Sequence, residues 1–251
     1  MRNRNQAATL IRTMRQSGPS RGPLQTDEAR AVQIAFDGTA VQRLTVAARA
    51  LGRLLRNPED TRQVFVLNVL LNRDHIPTTM LRFVTAPGGL ALLHDQPAID
   101  SSTVDLQAMA RLPAGTLGHA YAHHLLGRGL DGDIFQAPPG VPPAVAYLAQ
   151  RARQSHDLWH VLTGYATDVP GEIALQGFTY GQLGAPGPGV TALVGAIRWG
   201  VANPRVVRLA WDGYQRGKRA KYLLAVRWED LWEMPLTRLR EDLAIPPARV
   251  T

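Results

Sequence analysis

The sequence predicts an all-α protein: a single helical domain behind a basic, flexible N-terminal tail. Two observations predict it. Apolar residues recur at three- and four-residue steps over most of the chain, the spacing that lines one face of a helix. No run alternates convincingly with period two, and no Asn-Gly or Asp-Gly pair joins two alternating segments, so strands and hairpins are not indicated. A chain of 251 residues can bury a sizeable core without disulfides or a structural metal. There is no internal repeat. The boundaries read as a tail over 1–22 and a helical domain over 23–251.

The elements follow in order. Over 40–56, Val41, Leu44, Ala47, Ala48, Leu51 and Leu54 form an apolar stripe. Asn57-Pro58-Glu59-Asp60 reads as a cap, a proline at the first helical position and acids in the first turn. Val64 to Leu71 continue that helix; Val64–Val66 alone could be a strand, but the neighbours argue helix. Residues 115–127 read as helical, stopped by Gly127. Pro142-Pro143 open a long helix to about Gly164. Pro170-Gly171-Glu172 open another. Gly184–Gly189, with two prolines, reads as a loop. Helical patterns follow at about 190–202, 204–217, 221–233 and 235–244.

The formal net charge is +8, but it is unevenly placed. Residues 1–56 hold ten Arg against three acids; the remainder is nearly neutral. The 26 Arg against 2 Lys point to codon bias and a GC-rich bacterial genome. Residues 1–22 are acid-free and too polar for a signal peptide. They suit a mitochondrial presequence, a tail that touches anionic lipid, or a simply solvated tail. No apolar stretch of spanning length escapes Gly, Pro or charge. The expectation is a soluble protein, at most peripheral on a membrane. A second basic region, Arg205–Arg227, suits lipid headgroups or solvation. No nucleic-acid-binding signature accompanies it.

There is no cysteine, which excludes disulfides, thiolate metal sites, iron–sulfur clusters and Cys nucleophiles. A metal site here must use imidazole and oxygen. His156-Asp157-Leu158-Trp159-His160 supplies that chemistry. On one helix, His156 and His160 lie one turn apart on one face, as in HExxH metal sites. Asp157 can be a ligand, a base or the acceptor that orients an imidazole. Glu172, in the first turn of the next helix, can be presented to the two histidines as a third ligand. Chance pairing of two His, and a Glu favoured by the helix dipole, is the plain alternative. His119 and His123 repeat the spacing, with His124 beside them, and read as partly exposed helix histidines; Asp131 and Asp133 are their nearest downstream acids. His75 and His94 read as structural or exposed.

The pattern His156-Asp157-x-x-His160, eleven residues, then Glu172 resembles the signature of the ubiquinone (coenzyme Q) biosynthesis family named for the fourth coenzyme-Q gene, Coq-four. Leu112-Pro113-x-Gly115-Thr116-Leu117-Gly118-x-Ala120-Tyr121 resembles its segment upstream of the metal motif. Ala196-Ile197-Arg198-x-Gly200, Trp228-Glu229 and Leu239-Arg240 resemble its C-terminal third. The resemblance covers about 92–246; the first ninety residues carry no recognised motif. It implies an all-α fold, a divalent metal usually taken as zinc (Zn2+), and His156, Asp157, His160 and Glu172 as metal ligands. It also implies peripheral membrane association and a place among the enzymes that modify polyprenylated hydroxybenzoate rings. The expected location is the bacterial cytoplasm, peripheral on the inner membrane, or the mitochondrial inner membrane in a eukaryote. Expected partners are the prenylated ring intermediate, other ubiquinone biosynthesis enzymes and an anionic membrane surface, not nucleic acid; a homodimer is left open.

Three activities are compatible. The first is metal-assisted decarboxylation at the ring carboxylate, with Asp157 or Glu172 as catalytic groups that move protons. No flavin motif is present, so an oxidative version needs O₂ at a redox-active metal or at the substrate itself. The second is a non-catalytic scaffold or prenyl-lipid carrier, its groove lined by Trp199, Trp211, Tyr214, Trp228 and Trp232; core packing is the plainer role for most of these. The third is a zinc hydrolase, disfavoured because Asp157 is one methylene shorter than the Glu of HExxH.

Overall fold

The computed structural model describes residues 27–57, 60–127 and 141–246. The expected tail over 1–22, and Pro58, Glu59, Asp131 and Asp133, lie outside the described residues. Among the described residues there is no strand, only a single bridge between Thr116 and Pro235. The all-α expectation holds, as a single helical domain.

Three helices form an N-terminal layer: α1 (Asp27–Asp37), α2 (Ala40–Arg56) and α3 (Thr61–Asn72). Their shared core holds Ala35, Ala50, Leu54, Leu67 and Leu70. Thr39 and Gln42 cap α2 reciprocally, each side chain accepting from the other's backbone N–H. Asn57 does not open α3: its N–H bonds Arg53 O at the end of α2, and α3 starts at Thr61. A 3-10 turn, Arg73–His75, leads into α4 (Ile76–Thr85) and then α5 (Gly89–Asp95). His75 is structural: its Nε2 donates to Leu183 O at 3.1 Å. His94 is exposed beside Asp95.

The remainder builds the main core. α6 (Leu106–Ala110) precedes α7 (Leu117–Leu126), which Thr116 caps through His119 N–H. The long helix expected from 143 to about 164 is two: α8 (Pro143–Gln154) and α9 (His156–Thr163). At the break, Ser155 Oγ donates back to Arg151 O at 2.7 Å, beside the bond from Ser155 N–H to the same carbonyl at 2.9 Å. α10 (Val169–Leu183) ends at Gly184, which is left-handed at φ 67°. The loop expected over 184–189 shrinks to Gly184-Ala185. Pro186 is the first residue of α11 (Pro186–Gly200), where no N–H is needed. α12 (Pro204–Arg219) follows. The helix expected over 221–233 is two 3-10 turns, Leu223–Ala225 and Trp228–Asp230. Leu223, Leu224, Ala225 and Trp228 are all buried, and three consecutive buried residues do not fit the one-sided stripe of a surface helix. α13 (Leu236–Asp242) is the last described helix.

Two contacts fix the architecture. First, α10 and α12 meet through glycines four apart on each. A Cβ at Gly177 would lie 2.3 Å from Ala210 O, at Gly213 2.0 Å from Ala174 O, and at Gly217 2.2 Å from Phe178 O. The two backbones therefore touch. Second, the buried Arg151 of α8 forms a two-pronged ion pair with Glu229, tying α8 to the second 3-10 turn. Trp159, Phe178 and Trp228 fill the core between these elements. Of the five candidate groove aromatics, Trp228 is fully buried and Trp232 stacks on Tyr121, so core packing takes these two.

Alanine has a higher helix propensity than glycine, by about 1 kcal/mol. At Gly213 steric overlap opposes and exceeds that gain, because the neighbouring carbonyl cannot yield without parting the helices. Gly213→Ala is expected to destabilise the protein by about 1–3 kcal/mol. A thermal melt followed by circular dichroism checks this; an unchanged or raised Tm refutes it.

Candidate metal centre

The site begins with how α9 ends. Gly164, left-handed at φ 75°, stops the helix and turns the chain back. Asp168 then caps α10, its carboxylate accepting from Gly171 N–H at 2.8 Å. Gly171 is required there, since a Cβ would lie 2.0 Å from Ala166 O. This reversal places Glu172, in the first turn of α10, against the histidines of α9.

His156 Nε2 lies 3.6 Å from Glu172 Oε2, and His160 Nε2 lies 3.1 Å from Glu172 Oε1. The imidazole rings are 4.9 Å apart and nearly perpendicular. One donor atom from each of the three residues falls within 4.8 Å of the others. His160 is fully buried, His156 partly so, and Glu172 has an open flank. Burial pushes the Glu172 carboxyl up, but hydrogen bonds and charge from His156 and His160 outweigh it and hold the group well below its ordinary value.

The His160 ring has a fixed orientation. Its Nδ1 is 3.0 Å from Tyr165 O, and a carbonyl only accepts, so Nδ1 carries a proton. Nε2 is therefore the nitrogen that serves Glu172 or an ion, and it is buried. Two imidazole nitrogens and a carboxylate converging in this way, one ring held by a backbone carbonyl, fit a divalent ion such as Zn2+.

The structure brings together three of the four sequence-derived residues. Asp157 is not in the triad. It lies about a quarter-turn round α9 and faces α7, where His124 Nε2 is 3.7 Å from its Oδ1. Burial raises the Asp157 carboxyl, but His124 and the charges of His156, Arg153 and His160 bring it below its ordinary value. His124 is the residue that the sequence pattern alone does not single out. It is a partly exposed helix histidine, as expected, but its ring lies 5.6 Å from that of His160, almost parallel. Of its neighbours, His123 is exposed, and the His119 and His123 rings pair with each other 4.3 Å apart. The signal that marks His124 is positional: it falls three and seven residues after the buried Tyr121 and Leu117, on their side of α7.

Two arginines complete the support. Arg240 donates to Leu162 O and Val161 O, and Arg216 to Thr163 O. These are the terminal carbonyls of α9, which have no partner within the helix. So Arg216, and Arg227, which is paired with Asp95, do not belong to an open basic patch.

The sequence matches, over residues 34–249, a family profile described as "Coenzyme Q (ubiquinone) biosynthesis protein Coq4". The chain belongs to this family. The match reaches well upstream of the motifs, into α1. A rat protein named "Ubiquinone biosynthesis protein COQ4 homolog, mitochondrial" is 33% identical over 214 residues, 83% of this chain and 80% of its own. The human protein of the same name is 32% identical over 217 residues, 84% and 81%. A crystal structure from Nostoc punctiforme, described as a "Putative ubiquinone biosynthesis protein", superposes with a TM-score of 0.67 at 26% identity, covering 81% of this chain and 96% of that one.

His156→Ala and Glu172→Ala are each expected to lose stoichiometric Zn2+, whereas Asp157→Asn retains it with affinity reduced about 10–100-fold, as for a residue that supports ligands from outside. Metal content after dialysis, with titration of the retained ion, measures both. Loss of metal in Asp157→Asn equal to that in Glu172→Ala would place Asp157 among the ligands.

Proposed function

We propose that this protein acts in ubiquinone biosynthesis as a divalent-metal-dependent decarboxylase of a polyprenylated 4-hydroxybenzoate-type ring. Membership of the family supports the pathway. The observation that supports the chemistry is the convergence of His156, His160 and Glu172, with a second acidic group, Asp157, held just outside them.

In this reading His156, His160 and Glu172 hold the ion. When bound, the ion supplies Lewis acidity that stabilises negative charge on the ring's oxygen substituents. The open flank of Glu172 leaves room for the substrate to approach. The bond from the ring to its carboxylate breaks, CO₂ leaves, and the bonding electron pair remains on the ring carbon. That carbon then takes up a proton. Asp157, an ionised carboxylate beside the triad that His124 keeps oriented, is the group to relay that proton in from solvent. An oxidative outcome, with hydroxyl replacing the carboxylate, requires O₂ and two electrons from a separate donor. The substrate's prenyl chain makes the membrane surface the place of action, and the relatives' names place them in mitochondria.

The test supplies purified protein, Zn2+ and a ring-carboxyl-labelled prenylated hydroxybenzoate in detergent, and follows labelled CO₂. Release is expected with the wild type, and a fall of at least about 100-fold with His156 and His160 both changed to Ala, the scale on which positioned acid–base and charge-stabilising groups act. A full rate in the double variant would sink metal catalysis. No release by any form, with normal assembly of partner enzymes, would favour the scaffold reading.

A further inference from the structure

Large apolar side chains stand in water on one part of the molecule. On α11 and at its C-terminal cap, Leu193, Ile197 and Val201 recur every four residues and are 60%, 66% and 92% exposed. On α12, Val207 and Trp211 repeat the spacing at 49% and 62% exposed. The helices meet where Gly200 abuts the Val207 side chain, so the two rows join into one ridge. A contiguous apolar surface of this kind marks a docking site.

The exposed charged residues of α11 and α12 are all basic; Asp212, next to Trp211, is engaged by Tyr165 and Arg216. Arg198, Arg205 and Arg208 lie along it, all exposed. From Ile173 to Trp211 the sequence contains no Asp or Glu. Apolar residues projecting beyond flanking arginines suit an anionic lipid bilayer: the side chains enter the acyl boundary and the guanidinium groups meet the headgroups. A second copy of the chain fits worse. A two-fold contact through the ridge would bring these arginines towards their own mates, like charge against like charge. Among the described residues no single helix is long and apolar enough to cross a membrane; the contact argued from the ridge is an interfacial one.

We propose that the α11–α12 ridge docks on anionic membrane. The cations that meet the headgroups are Arg198, Arg205 and Arg208, not the whole of Arg205–Arg227. The ridge also has a defined relation to the metal centre. A Cβ at Gly195 would lie 2.6 Å from the side chain of Ile173, the residue after Glu172. Leu193 and Ile197, two residues either side, point away from that contact. Docking thus seats α10, and with it Glu172, one helix above the lipid surface. Its value for lipid-borne substrate rests on the proposed function; the docking itself does not.

The test is flotation of the full chain, without metal or substrate, on phosphatidylcholine vesicles with and without phosphatidylglycerol. Binding is expected only with the anionic lipid. It falls at least about tenfold in Ile197→Glu/Val201→Glu and in Arg198→Gln/Arg205→Gln/Arg208→Gln, each arginine being worth roughly fivefold near such a surface. Brominated lipid is expected to quench tryptophan fluorescence in the wild type, and not in Trp211→Phe. Wild-type binding by the Glu variant, or quenching unchanged in Trp211→Phe, overturns the proposal. So does loss of binding on deleting residues 1–22 with the ridge intact. A wild-type dimer in sedimentation, dissociated by the Glu variant while vesicle binding persists, would assign the ridge to a second copy instead. Quenching in the wild type needs no folded variant. CO₂ release in detergent reads the catalytic proposal separately, so either can fail without the other.

Discussion

The backbone contact between α10 and α12 is the constraint on which the site depends. Glycines at 177 and 181 on one helix face glycines at 213 and 217 on the other, and a methyl added at any of the four would strike a carbonyl or amide. Helices this close behave as one rigid slab. α10 carries Glu172 at its start; α12 carries Asp212 and Arg216. Asp212 accepts from the Tyr165 hydroxyl at 2.6 Å, and Arg216 donates to Thr163 O. The slab therefore grips both the carboxylate of the site and the turn that orients His160. Moving the helices apart would shift ligand and support together.

The polarity of the site follows from what can be buried. His160 is wholly enclosed, and the low position of Glu172 depends on imidazoles that offset its burial. Asp157 solves the same problem through a histidine from α7. The result is two neighbouring acid–imidazole groupings with unlike surroundings. One converges on a point that an ion can occupy; the other stands beside it. Groups so differentiated by environment suit a division between charge stabilisation and proton handling.

Much of the fold is legible in the sequence, because helical periodicity and punctuation are local signals. Gly164, Asp168 and Pro170 mark one helix end and the next start. The segments that depart from the local pattern are decided by tertiary contact. The break at Ser155 falls inside a stretch that reads as one helix, at a residue wholly buried among its neighbours. Residues 223–228 look helical, yet Leu223, Leu224, Ala225 and Trp228 are drawn into the core, with Gln182 accepting from Leu223 N–H. The Gly-Pro punctuation over 184–189 suggests a loop, though Pro186 and Pro188 sit in a first turn that tolerates them. In the site, His156, His160 and Glu172 are legible from spacing, since eleven intervening residues are a turn and a cap. His124 is not, for it comes from another helix, thirty-three positions before Asp157.

The arginine support of α9 has a consequence in time. This helix is eight residues long, too short to hold its shape alone in water. Its terminal carbonyls are satisfied by Arg216 and Arg240, the latter reaching Leu162 across 78 residues of chain. While a ribosome is still making the last part of the chain, those partners do not yet exist. The histidine pair can be presented in its final geometry only once the C-terminal region has emerged and folded back. A chain cut short before Arg240 would therefore retain every ligand residue and still lack the frame that aims them.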